Sequence, residues 1–531
     1  MRFNTTNTAD HADATTLNHM GAKAYTLSAE MELYTAVTTT MLADSYYQKA
    51  DDRLALIQLL VGEVDPLFVA RLAVYAREAM YLRSVPLVLV GELARIHNGD
   101  DLVSRTIARV VQRPDEISEL LAYYQLANAR TGAKKLNRLS KQLQKGLALA
   151  FNRFDAYQFA KYERKTAVQL RDALFLVHPK AKDEAQQAIF DQLASRTLST
   201  PYTWETELSA LGQQAFGSEK EKQLAVRTKW HELIDSHKLG YMAMLRNLRN
   251  MLEANIDMAH IDKVCALITH ERAVQQAKQL PFRYLSAYAE LKAVATQKSV
   301  FYLFGNAQWA VKKLIQALEK ALVQSVAYLP IAAGKTLILS DNSGSMFGDV
   351  GGRSAVSAMS RRTTADIANL FAVLYWTRAE STLLGLFGER LITPQLSRSA
   401  TLFNNFDRIS REAGKCGGAT EEGIFVMLEK LIKSREIVDR IVIFSDCQIG
   451  RSCNWYGQRG RRADDFDKLF AQYRTINPEV KTFSVDLKGY GNTMATDGIY
   501  TISGWSDKLF ALIVAAENGQ TALDAIDAVA L

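Results

Sequence analysis

The residues of this chain best suited to chemistry carry oxygen, and they fall in three short runs. Asp341-Asn342-Ser343-Gly344-Ser345 makes a D-x-S-x-S pattern, Gly417-Gly418-Ala419-Thr420 a glycine-rich turn, and Ser445-Asp446 the acidic end of an apolar run. Together they offer two carboxylates (Asp341, Asp446) and three hydroxyls (Ser343, Ser345, Thr420). An all-oxygen set of this kind suits a hard divalent cation such as Mg²⁺, which retains waters or accepts a partner's acidic oxygen in its remaining positions. D-x-S-x-S by itself is also what a common turn with a helix cap looks like. Its meaning therefore depends on the elements that carry it.

Those elements are short buried strands alternating with helices. KTLILSD (335–341), STLLGLFG (381–388), RIVIFSD (440–446), KTFSVDL (481–487) and GIYTISG (498–504) are apolar, partly β-branched runs of strand length. Between and after them, residues 357–379, 402–413, 421–434 and 506–518 have helical spacing. Alternation of this type predicts a doubly wound parallel sheet, in which ligands bind outside the carboxyl ends of the strands. Asp341 and Asp446 each end a strand there. The pattern resembles the metal-ion-dependent adhesion site of von Willebrand factor A domains. The resemblance implies metal-ligating or metal-supporting roles for Asp341, Ser343, Ser345, Thr420 and Asp446. The family commonly has Gly directly before the Thr, where this chain has Ala419.

Upstream of Pro330 the texture is different. From about residue 27 to 326, segments such as PLFVARLAVYAREAM (66–80), VPLVLVGELARI (85–96) and DEISELLAYYQLANA (115–129) repeat apolar residues at helical spacing. Breaks at Arg83-Ser84, Asn98-Gly99-Asp100, Gly132-Ala133 and His178-Pro179 separate short helices, which predicts an α-solenoid without a clean sequence repeat. The expected division is a polar tail over 1–20, a helical domain over 21–330 and an α/β domain over 331–531.

Charge separates the two parts as well. The net charge of +7 lies wholly within residues 1–330, and residues 331–531 are neutral. Residues 101–182 carry 16 basic and 7 acidic side chains, a local excess that attracts polyanions, although a solvated basic face has the same composition. Within that window KYERKTAVQLRDALFLVHPK (161–180) holds Lys161, Lys165, Arg171 and His178. Lys and Arg position phosphates without reading sequence, and a histidine ending a helix before Pro179 can reach a phosphate or a splayed base.

The helical half resembles the TROVE module of Ro ribonucleoproteins over LFVARLAVYAREAMYLRSVPLVLV (67–90), YMAMLRNLRNM (241–251) and LPFRYLSAYAELK (280–292). A TROVE module ahead of a von Willebrand A domain is the Ro arrangement, and the pair accounts for nearly the whole chain. The resemblance implies a monomeric ring of HEAT-like helical repeats followed by the α/β domain. It also implies binding of small structured noncoding (Y-like) RNA on the outer face, and of single-stranded ends of misfolded RNA in a central hole. It places Lys161, Lys165 and His178 on the outer contact positions, with Arg171 nearby, although Glu163 falls where a basic residue is common. Arg83, Arg246, Arg249 and Arg283 are candidates for the hole, or structural arginines. An exoribonuclease or RNA-repair protein is the partner that bacterial relatives suggest.

Several classes are disfavoured. Gly334-Lys335-Thr336 lacks the upstream glycine of a phosphate-binding loop, no G-x-S-x-G or H-E-x-x-H motif occurs, and the eight histidines are scattered. No apolar run reaches the roughly 20 residues of a membrane helix, and the polar N-terminus lacks a secretory core. Cys265, Cys416, Cys447 and Cys453 form neither a disulfide framework nor a zinc site, though Cys447 and Cys453 could be redox-sensitive. The expectation is a cytoplasmic, non-enzymatic RNA-binding protein. The competing readings are a metal-dependent adhesion scaffold without RNA and a Mg²⁺ nuclease, the latter short of carboxylates for a two-metal centre.

Overall fold

The computed structural model describes residues 15–18, 23–40, 52–127, 139–296, 307–327, 332–347, 362–418, 422–449, 466–494 and 498–531. The chain divides into two units, one of residues 1–154, 164–187 and 329–531, the other of 155–163 and 188–328.

The first unit contains the doubly wound sheet. Its strands are β3 (Ala332–Asp341), β4 (Ala379–Phe387), β5 (Leu391–Ile392), β6 (Arg440–Ser445), β7 (Lys481–Asp486) and β9 (Ile499–Ser503), in the order β5-β4-β3-β6-β7-β9. All pair in parallel except the edge strand β5, which is antiparallel to β4. Side chains alternate between two covered faces, so the strands read as continuous apolar runs. Leu337, Leu339, Ile441 and Ile443 pack with Phe425, Leu428 and Leu431 of helix Gly423–Ser434 and with Phe470 and Tyr473 of helix Phe466–Ile476. The alternate residue Phe444 stacks on Phe371 of helix Thr364–Arg378, which in turn meets Phe510 of helix Lys508–Glu517. From β3 the chain moves outward to β4, then returns to place β6 on the other flank of β3. The order therefore reverses between β3 and β6, which opens a crevice at their carboxyl ends.

The same unit takes in the beginning of the chain. β1 (Thr15–Leu17) and β2 (Lys23–Thr26) form an antiparallel pair, and β2 pairs with β8 (Asn492–Thr493). Tyr25 and Lys23 both donate to the Asp467 carboxylate, at 2.5 and 3.0 Å. Helix Ala29–Thr38 docks on β9, with Tyr34 Oη donating to the Ser503 carbonyl at 3.1 Å and Thr38 Oγ1 to Ser503 Oγ at 3.0 Å. The segment expected as a polar tail thus supplies a strand. The chain passes from the second unit into the first between Tyr328 and Leu329, beside the expected boundary at 330, but the first unit also takes in residues 1–154 and 164–187. Pairings spanning more than 400 positions leave no local signature in sequence.

Helices Pro66–Glu78, Ser84–Ile96, Leu102–Val110 and Pro114–Ala127 also belong to this unit. Pro66 opens its helix behind the cap Asp65, whose side chain accepts from Leu67 N–H. Every residue from Ser84 to Ala94 is buried, and a Cβ on Gly91 would lie 2.6 Å from the Tyr123 ring, so only glycine permits that approach. The second unit is all helical: Ala156–Tyr162, Trp204–Gly212, Glu219–Asp235, Tyr241–Glu253, Met258–Ile268, Glu271–Ala277, Pro281–Thr296 and Ala307–Ser325 follow in series around buried Trp230, Leu248, Ile261, Tyr284 and Leu318. No helix among the described residues is long and apolar enough to cross a membrane.

Candidate functional site

Two places hold the residues singled out above. The first is the crevice at the carboxyl ends of β3 and β6. Asp341, Ser343 and Asp446 are buried there, and Ser345 is exposed. Asp341 accepts from Ser445 Oγ at 2.6 Å and from Ser343 N–H at 2.9 Å, and the Ser343 and Ser345 hydroxyls lie 3.2 Å apart. Asn342 and Asn369 interlock by hydrogen bonds of 2.7 and 3.1 Å, which fixes the loop after β3. Gly344 N–H donates to the Gly418 carbonyl at 2.8 Å, so the Gly417-Gly418 turn lies against the D-x-S-x-S loop. Thr420, two residues further on, lies outside the described residues, as does Ala419.

The electrostatics of this crevice are unfavourable without a cation. Burial, followed by the negative charge of Asp446, pushes the Asp341 carboxyl up to about 7. Asp446 Oδ1 accepts from Gln448 N–H at 3.1 Å, while its buried Oδ2 has no hydrogen-bond partner among the described residues. An orphaned, fully buried carboxylate oxygen beside a second buried carboxylate is a cost that a divalent cation would offset. Asp486, at the end of β7, was not anticipated. Burial pushes it up to about 6 against the N–H groups of Gly489 and Lys488, and its Oδ2 is also without a partner among the described residues. Its only signal was a third strand-end aspartate in KTFSVDL.

The second place is the segment 161–180, which spans both units. Lys161 belongs to the second unit; Lys165, Arg171 and His178 belong to the first. In the first unit Lys165 and His178 are exposed, and Arg171 is half-buried with its guanidinium 5.4 Å from the Phe175 ring centroid. His178 caps helix Leu170–Val177 in the left-handed conformation (φ 48°), and its ring has no hydrogen-bond partner among the described residues. Sequence reasoning missed Lys141. Gln144 Nε2 donates to the Val177 carbonyl at 3.0 Å, which joins helix Lys141–Phe151 to the end that carries His178. Asn152 likewise holds Lys180 O and Lys182 N–H. Lys141, Lys165, Lys180 and Lys182 form no ion pair among the described residues. By contrast, Arg105, Arg109 and Arg113, which contribute to the same local excess, are paired with Asp101, Glu78 and Asp115.

The other candidates separate clearly. Arg83 is structural, held by Asp115 at 2.9 Å and Glu119 at 3.0 Å, and Arg249 pairs with Glu253 and Glu290. Arg283 is lowered by burial and by the charge of Arg246. Lys335 lies within β3 and pairs with Glu436, not in a loop ahead of a helix as a phosphate loop requires. Cys447 is buried, and burial raises its thiol well above the ordinary value, which makes it a poor redox sensor; Cys453 lies outside the described residues. The histidines, scattered in sequence, are not all scattered in space. His231 and His260 stack with ring centroids 3.8 Å apart, beside Asp257.

This combination of serial helices and a doubly wound sheet with acidic strand ends defines a known architecture. The chain aligns with the crystal structure of the Ro (RSR) protein of Deinococcus radiodurans at a TM-score of 0.56 and 16% identity, covering 92% of this chain and 100% of that one. The TROVE domain model matches residues 5–198 and 195–328, and the chain belongs to the TROVE domain family. Its fold is of the Ro type. Among curated relatives, telomerase protein component 1 of Rattus norvegicus is 24% identical over 315 residues, and that of Mus musculus 23% over 350 residues. These matches cover 45% and 50% of this chain but only 12% and 13% of those much longer proteins.

Proposed function

We propose that the chain is a non-catalytic RNA-binding protein of the Ro type. Its ligand is a small structured noncoding, Y-like RNA, bound through the phosphates by Lys161, Lys165, Arg171 and His178. The observation that carries this reading is the set of exposed lysines without carboxylate partners among the described residues, Lys165 ahead of helix Leu170–Val177 and Lys180 and Lys182 beyond it, within a TROVE chain. Such cations cost the fold nothing to leave free and gain most from releasing counterions at a polyanion. Ends of misfolded or incompletely processed RNA are the second ligand class, and an exoribonuclease or RNA-repair protein is the partner that would act on them. The working compartment is the cytoplasm.

In the same proposal, Asp341, Ser343, Ser345, Thr420 and Asp446 hold Mg²⁺. The orphaned Asp446 Oδ2 supports this, and the open positions of the ion suit an acidic side chain from a partner protein. An adhesion scaffold without RNA would use the same crevice. The ratio of absorbance at 260 to 280 nm of protein purified from its own host separates the two. A ratio typical of nucleoprotein supports the RNA reading, and a ratio typical of protein alone favours the scaffold.

A further inference from the structure

The second unit contains a cavity of about 330 Å³. Tyr157, Tyr202 and Trp204 line it, and Tyr157 is 44% exposed. Two ammonium groups stand beside these rings, Lys161 Nζ at 5.9 Å from the Tyr157 centroid and Lys238 Nζ at 5.2 Å from that of Tyr202. Glu205 is the one acidic residue among the lining side chains, so the wall is net positive. The floor is the start of helix Tyr241–Glu253. Gly240 stands at its N-cap with no side chain to offer, and the N–H groups of Tyr241, Met242 and Ala243 have no partner among the described residues. Three converging N–H groups at a helix N-terminus accept an anion, and phosphate in particular.

Exposed aromatic faces, flanking cations and an open helix N-terminus are three separate requirements, and one ligand chemistry meets all of them: a planar base joined to a phosphate. We propose that this cavity takes one unstacked nucleotide of a single-stranded RNA. The base lies against Tyr157 and Tyr202, and the phosphate meets the N-terminus of Tyr241–Glu253 together with Lys238. Stacking on aromatic side chains tolerates any base, so the cavity selects unpaired strands rather than sequences. This rests on the RNA-binding reading and assigns it a site distinct from the lysines of the first unit. Lys161 gains a second role, at the mouth of the cavity.

The test is fluorescence anisotropy of the full chain with a fluorescein-labelled short single-stranded oligoadenylate, alongside a structured RNA. Loss of one base stack weakens binding at least about five-fold, so Tyr157→Leu should show that loss and Tyr157→Trp should not. Lys238→Met should weaken binding and flatten its salt dependence. An unchanged affinity in Tyr157→Leu, with melting temperature also unchanged, overturns the proposal. So does an unlabelled adenosine monophosphate that binds as tightly as the oligonucleotide, because the cavity would then serve a free nucleotide. If structured RNA binds and the oligoadenylate does not, the cavity proposal fails alone; if neither binds, the RNA-binding reading fails with it.

Discussion

Replacing Lys161, Lys165 and His178 together with glutamine should change how RNA affinity depends on salt. Lys161 and Lys165 are exposed and engage no carboxylate among the described residues, and the His178 ring is exposed and unpartnered there, so the variant should melt with the wild type. Each phosphate contact contributes about 0.7 to 0.9 to the slope of log K against log salt. Losing the two lysine contacts should therefore make the slope shallower by roughly 1.4 to 1.8. Over a four-fold rise in salt, the gap in affinity between wild type and variant should close by about seven- to twelve-fold. The assay is a gel-shift or filter-binding titration of a small structured RNA at several salt concentrations. Parallel salt lines, with the variant merely displaced, would refute the reasoning, because the lysines would then act through structure rather than through phosphates.

Three further outcomes follow from buried groups. Asp341 and Asp486 are raised in the fold, to about 7 and about 6 from 3.8. In Mg²⁺-free buffer their contribution to stability is fully present below about pH 4 and lost as pH rises through those values, an effect on the order of a few kcal/mol. Thermal melting across that window should show the fall, and added Mg²⁺ should restore stability near pH 8 in the wild type but not in Asp341→Asn. Arg77→Met should destabilise by about 1–3 kcal/mol, because the Glu116 side chain, 0% exposed, loses its 2.7 Å ion pair and keeps only the Gln112 and Arg113 N–H groups and Arg83 at 3.7 Å; denaturant unfolding measures it. Gly91→Ala should cost about 1–3 kcal/mol by forcing the Tyr123 ring out of place, again read from denaturant midpoints, with RNA affinity per folded molecule unchanged.

The α/β architecture was legible because each parallel strand is covered on both faces and so reads as a bounded apolar run. Helix 402–413 matches its sequence pattern end to end, and KTLILSD, RIVIFSD and KTFSVDL are the cores of β3, β6 and β7. The short elements were not legible. β5 has two residues and β1 three, and β2 and β8 pair with each other across more than 400 positions, so their local composition carries no strand signal. Strand-end position marked Asp341 and Asp446, and the same logic would have marked Asp486 had the third strand been weighed equally. Basic composition could not tell Lys165, which has no ion pair among the described residues, from the paired Arg109, since pairing depends on which helix lies alongside. The same holds for Lys141, whose helix is joined to the His178 end by the Gln144–Val177 hydrogen bond, and for His231 and His260, which lie 29 positions apart and stack in the fold.

The most direct test of the central claim is to purify the protein from its own host and sequence the RNA that comes with it. The account predicts one abundant small structured RNA, lost or strongly depleted in the Lys161, Lys165 and His178 variant. A preparation with no enriched RNA, from protein that is folded and intact, would contradict it.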